Sequence, residues 1–166
     1  MLPMNRKVIK VGMAEIHHSF SPDILKTTGL GSCVGVCIYD NFKKIGGMAH
    51  VMLPDSKNSR HTTTILGKFA DTAIEELIKR IVNAGAGDKN LVAKIAGGAQ
   101  MFSFAGSSDI MKIGQRNIEA VKENLDKFNI KIVAEDVGGN YGRTIEFDLL
   151  TGQLYVRTIS QGEKII

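Results

Sequence analysis

Thr27-Thr28-Gly29-Leu30-Gly31-Ser32-Cys33-Val34-Gly35-Val36-Cys37-Ile38-Tyr39-Asp40 passes from a glycine-rich turn into an apolar, β-branched run, and Gly46-Gly47-Met48-Ala49-His50-Val51-Met52-Leu53-Pro54 follows it closely. Both runs have the length and composition of strands, and Asn41-Phe42-Lys43-Lys44 makes a short connection between them. The pattern predicts an antiparallel hairpin with strands inside Leu30–Asp40 and Lys44–Leu53. Cys33 stands where turn becomes strand. His50, seventeen residues on, lies on the neighbouring strand.

Upstream, Val8–Ile16 reads as a first strand and His17–Asp23 as a turn containing Ser21-Pro22-Asp23. Downstream, the polar Pro54–Thr64 segment is expected to be an exposed loop. Leu66, Phe69, Ala70, Ala73, Ile74, Leu77, Ile78, Ile81 and Val82 recur at helical spacing, with Gly85 as a stop. Leu91–Ala96 is a short strand, and Ile118, Val121, Leu125 and Phe128 mark a second helix. Strands over Ile130–Val137, Thr144–Leu149 and Gln153–Ile159 follow, the first two separated by the Gly138–Arg143 turn. The order β-β-β-α-β-α-β-β-β is not the alternation of a parallel doubly wound sheet. It predicts an α+β fold, a layered α/β sandwich with mixed or antiparallel sheets and two main helices. With no linker, repeat or low-complexity stretch, residues 1–166 read as a single domain.

Composition narrows the function classes. Basic residues outnumber acidic ones by 21 to 17, a net charge of +4, but they are scattered, which argues against nucleic acid as a partner. The absence of Trp removes the best base-stacking platform. No stretch approaches the roughly 18 apolar residues of a membrane span, and Met1–Lys7 lacks a signal peptide's apolar core. Cys33 and Cys37, four apart on one strand, would lie about 13 Å apart, too far for a disulfide. Two free thiols suit a reducing compartment, so a cytoplasmic protein without membrane insertion is expected.

A thiol on a turn and an imidazole on the next strand can meet as nucleophile and base, the arrangement of a cysteine hydrolase. Gly29 and Gly31 allow a tight turn, and backbone N–H groups there, at Gly31 and Ser32, are candidate oxyanion donors. From the residue alone Cys33 reads first as a small buried hydrophobe of a core strand, and His50 equally as a satisfied core histidine. Cys37, deeper in the apolar run, belongs to the core. His17 and His18 fall in the predicted turn and His61 in the loop, leaving His50 as the base candidate. Thr27 can supply an oxygen that orients the ring. The cysteine and histidine spacings fit no zinc template, and no phosphate-binding glycine motif is present, so neither metal nor cofactor is expected.

Thr27–Asp40, Gly46–Pro54, Lys94–Phe102, Ile113–Asn117 and Gly138–Arg143 together resemble the CheD family, the chemoreceptor glutamine deamidases of bacterial and archaeal chemotaxis. The resemblance runs from about Val8 to Ile159 with its motifs in the family's order. It implies a protein-glutamine glutaminase that converts glutamines on the cytoplasmic helices of chemoreceptors to glutamates. Cys33 would be the nucleophile, His50 the general base and Thr27 the third member. The implied fold is similar to the catalytic domains of cytotoxic necrotizing factor-type deamidating toxins. The family also binds CheC, a phosphatase acting on phosphorylated CheY, and Met101 and Phe102 fall where that contact is implied. Phe102 reads equally well as a core aromatic. The competing reading is a CheC-binding adaptor without catalysis.

Overall fold

Along the chain the strands and helices are β1 (Val8–Lys10), β2 (Ile16–Phe20), β3 (Ile24–Leu30), β4 (Val34–Asp40), β5 (Ile45–Val51), α1 (Ala70–Asn83), β6 (Leu91–Gly97), α2 (Ile113–Lys127), β7 (Lys131–Val137), β8 (Arg143–Asp148), β9 (Leu154–Thr158) and β10 (Gly162–Ile165). The computed structural model describes residues 5–57, 65–101 and 112–166. The predicted hairpin forms: β4 and β5 pair antiparallel, from Asp40 opposite Ile45 at the turn to Val34 opposite Val51. It sits inside a five-stranded sheet of order β2-β5-β4-β6-β7, in which only β6 and β7 are parallel. A second five-stranded sheet, β1-β3-β8-β9-β10, is antiparallel except for β1 and β3.

The two faces of the hairpin bury against different layers. Val34, Val36, Ile38, Ala49 and Val51 pack with Ala73, Ile74 and Leu77 of α1 and with Ile118, Val121 and Leu125 of α2. Cys37, Tyr39 and Met48 point the other way and meet Leu25, Ile145 and Phe147 of the second sheet. The layers therefore run helices, sheet, sheet. A strand covered on both sides has no solvent face to mark with polar residues, which is why both runs read as almost continuously apolar. The helices follow the same logic: Ala70, Ala73, Ile74, Leu77 and Ile81 form the buried stripe of α1. No described helix is long and apolar enough to cross a membrane.

The N-terminal segment departs from the sequence prediction. Val8–Ile16 is not one strand. The chain turns at Gly12–Glu15, where the Gly12 N–H donates to Glu15 Oε1 at 2.6 Å and Ala14 adopts a left-handed φ of 63°. β1 and β2, on either side of this turn, belong to different sheets. His17–Asp23 is not a turn throughout: β2 continues to Phe20, its polar residues tolerated at a sheet edge. β3 occupies the stretch expected as the approach to a turn, and the charged edge strand β10 has no counterpart in the sequence prediction. Of the Pro54–Thr64 loop, residues 58–64 lie outside the described residues, and His61 with them.

Candidate active site

His50 is fixed first through its backbone. On β5 it lies opposite Gly35 of β4, its N–H donates to the Glu15 carbonyl at 3.1 Å, and its own carbonyl accepts the Ala14 N–H at 3.0 Å. The unpredicted turn at Gly12–Glu15 thus clamps the histidine strand from one side while β4 holds it from the other. Its side chain faces the second sheet and is 0% exposed. There the Thr27 hydroxyl, carried by β3, lies 2.7 Å from His50 Nδ1. The same hydroxyl donates to the Val11 carbonyl at 2.6 Å.

That second bond decides the protonation of the ring. A hydroxyl has one proton, and a carbonyl oxygen can only accept it. With the Thr27 proton committed to Val11, Nδ1 must donate its own proton to Thr27 Oγ1. The lone pair then resides on Nε2, which is buried and has no hydrogen-bond partner among the described residues, the Cys33 thiol included. An imidazole anchored at Nδ1 and open at Nε2 is arranged as a proton acceptor.

Cys33 immediately precedes β4 and shares the face of Gly35 and Cys37, so it packs toward the inter-sheet core on the same side as His50. Thiol and ring are diagonal neighbours across the hairpin, residues that ordinary sheet geometry sets about 7–8 Å apart, with their Cβ atoms somewhat closer. Cys33 is partly exposed and His50 enclosed. The carbonyls of Gly31, Ser32 and Cys33 all point into the protein. Gly31 O accepts the Ala99 N–H at 2.8 Å, Ser32 O accepts Asn117 Nδ2 at 2.9 Å, and Cys33 O accepts the Gly98 N–H at 2.8 Å. Gly97 makes the approach possible: its φ is 115°, and a Cβ there would run into Cys33 O. The Ser32 and Cys33 N–H groups donate to no other described residue, whereas the Gly31 N–H is engaged by Gly29 O at 3.1 Å.

Burial raises the Cys33 thiol above its ordinary pKa, offset only in part by its own backbone N–H. Burial also lowers His50 below the ordinary imidazole value. Both shifts disfavour charge, so the resting pair is neutral thiol and neutral imidazole rather than thiolate and imidazolium. Cys37 is fully buried, and burial pushes its thiol far up, in keeping with a core role. His17 sits 3.5 Å from Glu15 on the edge strand and His18 is exposed. Met101 is 45% exposed and leans over the turn, its Cγ 3.3 Å from where a Gly31 Cβ would be. Phe102 lies outside the described residues. No group of three or more His, Cys, Asp or Glu side chains among the described residues could hold a metal ion.

Two participants escape sequence reading. The Val11 carbonyl carries no side-chain signal. Asn117 does carry one: it is a polar residue at a position that the helical spacing of Gly114, Ile118, Val121 and Leu125 places on the buried face of α2.

Comparison with known proteins gives the class first. The chain is 54% identical over 159 residues to a protein of Halalkalibacterium halodurans named chemoreceptor glutamine deamidase CheD, covering 96% of this chain and 98% of the relative. A protein of the same name from Bacillus subtilis is 49% identical over 159 residues, covering 96% of both chains. A Syntrophomonas wolfei protein named probable chemoreceptor glutamine deamidase CheD is 53% identical over 160 residues, covering 96% of this chain and 99% of the relative. The family profile described as CheD chemotactic sensory transduction matches residues 52–158. This chain belongs to the CheD family.

Proposed function

We propose that this chain is a chemoreceptor glutamine deamidase, a hydrolase that converts glutamines on the cytoplasmic helices of chemoreceptors to glutamates, with Cys33 as nucleophile, His50 as general base and Thr27 as the residue that orients it. The names of its relatives support the reaction class. The observation that carries the site is the Thr27–His50 contact across the two sheets, which leaves Nε2 as an open acceptor on the face that Cys33 shares.

The chemistry follows from the neutral resting pair. As the thiol approaches Nε2 its proton passes to the ring and the sulfur attacks the glutamine Cδ, forming a C–S bond and a tetrahedral oxyanion. The Ser32 and Cys33 N–H groups receive that oxyanion, with the Gly31 N–H kept in the turn. Protonated His50 returns its proton to the amide nitrogen, the C–N bond breaks, and ammonia leaves a thioester on Cys33. A water deprotonated by the same Nε2 then attacks the thioester. The C–S bond breaks, the sulfur regains its proton, and glutamate is released. The balance is one water consumed and one ammonia formed per glutamine. Each turnover adds a negative charge to a receptor helix, which alters its repulsion with neighbouring helices.

A receptor cytoplasmic fragment incubated with the protein gains about one dalton at selected glutamines, the exchange of NH₂ for OH in hydrolytic deamidation. Absence of that gain overturns the reading. Thr27→Val keeps the shape of the side chain but removes the hydroxyl that selects the tautomer. It lowers kcat roughly 10- to 100-fold, whereas Thr27→Ser stays within a few-fold of the parent. Equal activity in Thr27→Val would remove the third member from the site.

A CheC-docking role is proposed beside catalysis, supported by the exposed Met101 above the nucleophile turn, with Phe102 next to it in sequence. A partner seated there covers Cys33, so excess CheC slows deamidation; an unchanged rate would separate the two surfaces. Kinship with the toxin deamidase domains and action in the cytoplasm, with no metal or other cofactor, belong to the same proposal.

A further inference from the structure

Asn117 is fully buried on α2, within an otherwise small or apolar stripe. Its Nδ2 donates to the Ser32 carbonyl at 2.9 Å and to the Met52 carbonyl at 3.0 Å. Ser32 is the residue before the nucleophile, and Met52 lies two residues beyond the base. The orientation of the amide is unambiguous, because turned over it would set Oδ1 against two carbonyl oxygens and lose both bonds. Oδ1 itself has no partner among the described residues, so the donor side alone holds this group in place.

The helix is seated tightly for this contact. A Cβ on Gly114 would run into the carbonyl oxygens of Gly98 and Ala99, the residues whose N–H groups hold Cys33 and Gly31. Three donors thus secure three consecutive carbonyls of the nucleophile turn. Two are backbone N–H groups of the segment after β6, and they hydrogen-bond the turn only. The third, Asn117, is a side chain, and it alone also reaches the segment that carries the base.

We infer that Asn117 is a positioning residue for deamidation: one NH₂ group ties the turn of Cys33 to the strand of His50 and sets the distance between sulfur and ring. The inference rests on the Cys33–His50 reading above. Proton transfer to Nε2 needs the two atoms within about 3 Å, and a misplacement of about 1 Å costs on the order of 100-fold in rate. Receptor binding uses exposed surface and does not depend on this tie.

The test measures kcat and KM separately on a receptor cytoplasmic fragment for Asn117→Ala, Asn117→Ser and Asn117→Asp, each at a temperature where circular dichroism shows it folded. Asn117→Asp keeps the volume but presents oxygens to both carbonyls, and Asn117→Ser retains a donor that can serve one carbonyl only. In the folded members of the series, Asn117→Ala and Asn117→Asp lose roughly 20- to 100-fold in kcat with KM within about twofold, and Asn117→Ser falls between them and the parent. A purely structural role lowers the melting temperature and leaves kcat of the folded fraction at the parent value, and that result overturns the inference. Cys33→Ala is measured alongside. Activity persisting there sinks the nucleophile reading, whereas parent-like Asn117 variants beside an inactive Cys33→Ala sink the positioning role alone.

Discussion

Cys33→Ala abolishes glutamine deamidation, a loss of roughly 10⁴-fold or more, while the melting temperature stays near that of the parent. Only a partly exposed sulfur is removed, and the turn keeps its three carbonyl anchors, two from backbone N–H groups and one from the Asn117 side chain. Cys37 cannot substitute, because it is enclosed in the core and burial holds its thiol protonated. The parent's pH dependence carries the same claim. Protonation of His50 removes the base, and its lowered pKa sets the acidic limb of kcat/KM below the ordinary imidazole value of 6.5. Ionisation of Cys33 strips the pair of the proton that ammonia must receive, and its raised pKa sets the alkaline limb above the ordinary thiol value of 9.0. The profile is a broad plateau, measured as deamidation rate against pH at subsaturating substrate. A preformed thiolate–imidazolium pair would instead keep Cys33 reactive to alkylation well into acid.

His50→Gln is the second large effect, a loss of roughly 10³- to 10⁵-fold in kcat with KM little changed. Glutamine fills more of the enclosed site than alanine and can still donate to Thr27, so the scaffold survives, but it offers no basic nitrogen. The variant also separates the two readings that the sequence leaves open for this residue. A histidine that merely satisfies the core has Nε2 partnered, yet here that atom is buried and has no partner among the described residues. If His50→Gln retains more than a tenth of the parent rate, the ring is structural and the base lies elsewhere.

The hairpin was legible because a strand buried on both faces has a distinctive composition, and the helices because α1 and α2 each bury one stripe. That His50 lies on the strand next to the run that follows Cys33 could be read from the hairpin alone. Thr27 was harder to place. Thr27, Thr28 and Gly29 read as the approach to a turn, but Thr27 is 2% exposed on a strand because its hydroxyl is satisfied by Val11 and His50. A buried polar residue whose partners come from distant segments leaves no local pattern. The same holds for β2, whose histidines are tolerable only at an edge, and for the turn at Gly12–Glu15, whose left-handed residue is Ala14 rather than a glycine. A polar Asn117 in an apolar stripe is a local signal, but its two carbonyl partners, 85 and 65 residues away, leave none.

The most direct measurement is the intact mass of the protein quenched in acid during turnover of a glutamine-containing receptor peptide. The account predicts a covalent adduct about 17 daltons lighter than protein plus peptide, the ammonia having left, mapped to Cys33 and released by hydroxylamine as a thioester requires. Continued deamidation with no adduct at Cys33, or with that thiol fully alkylated, would contradict it.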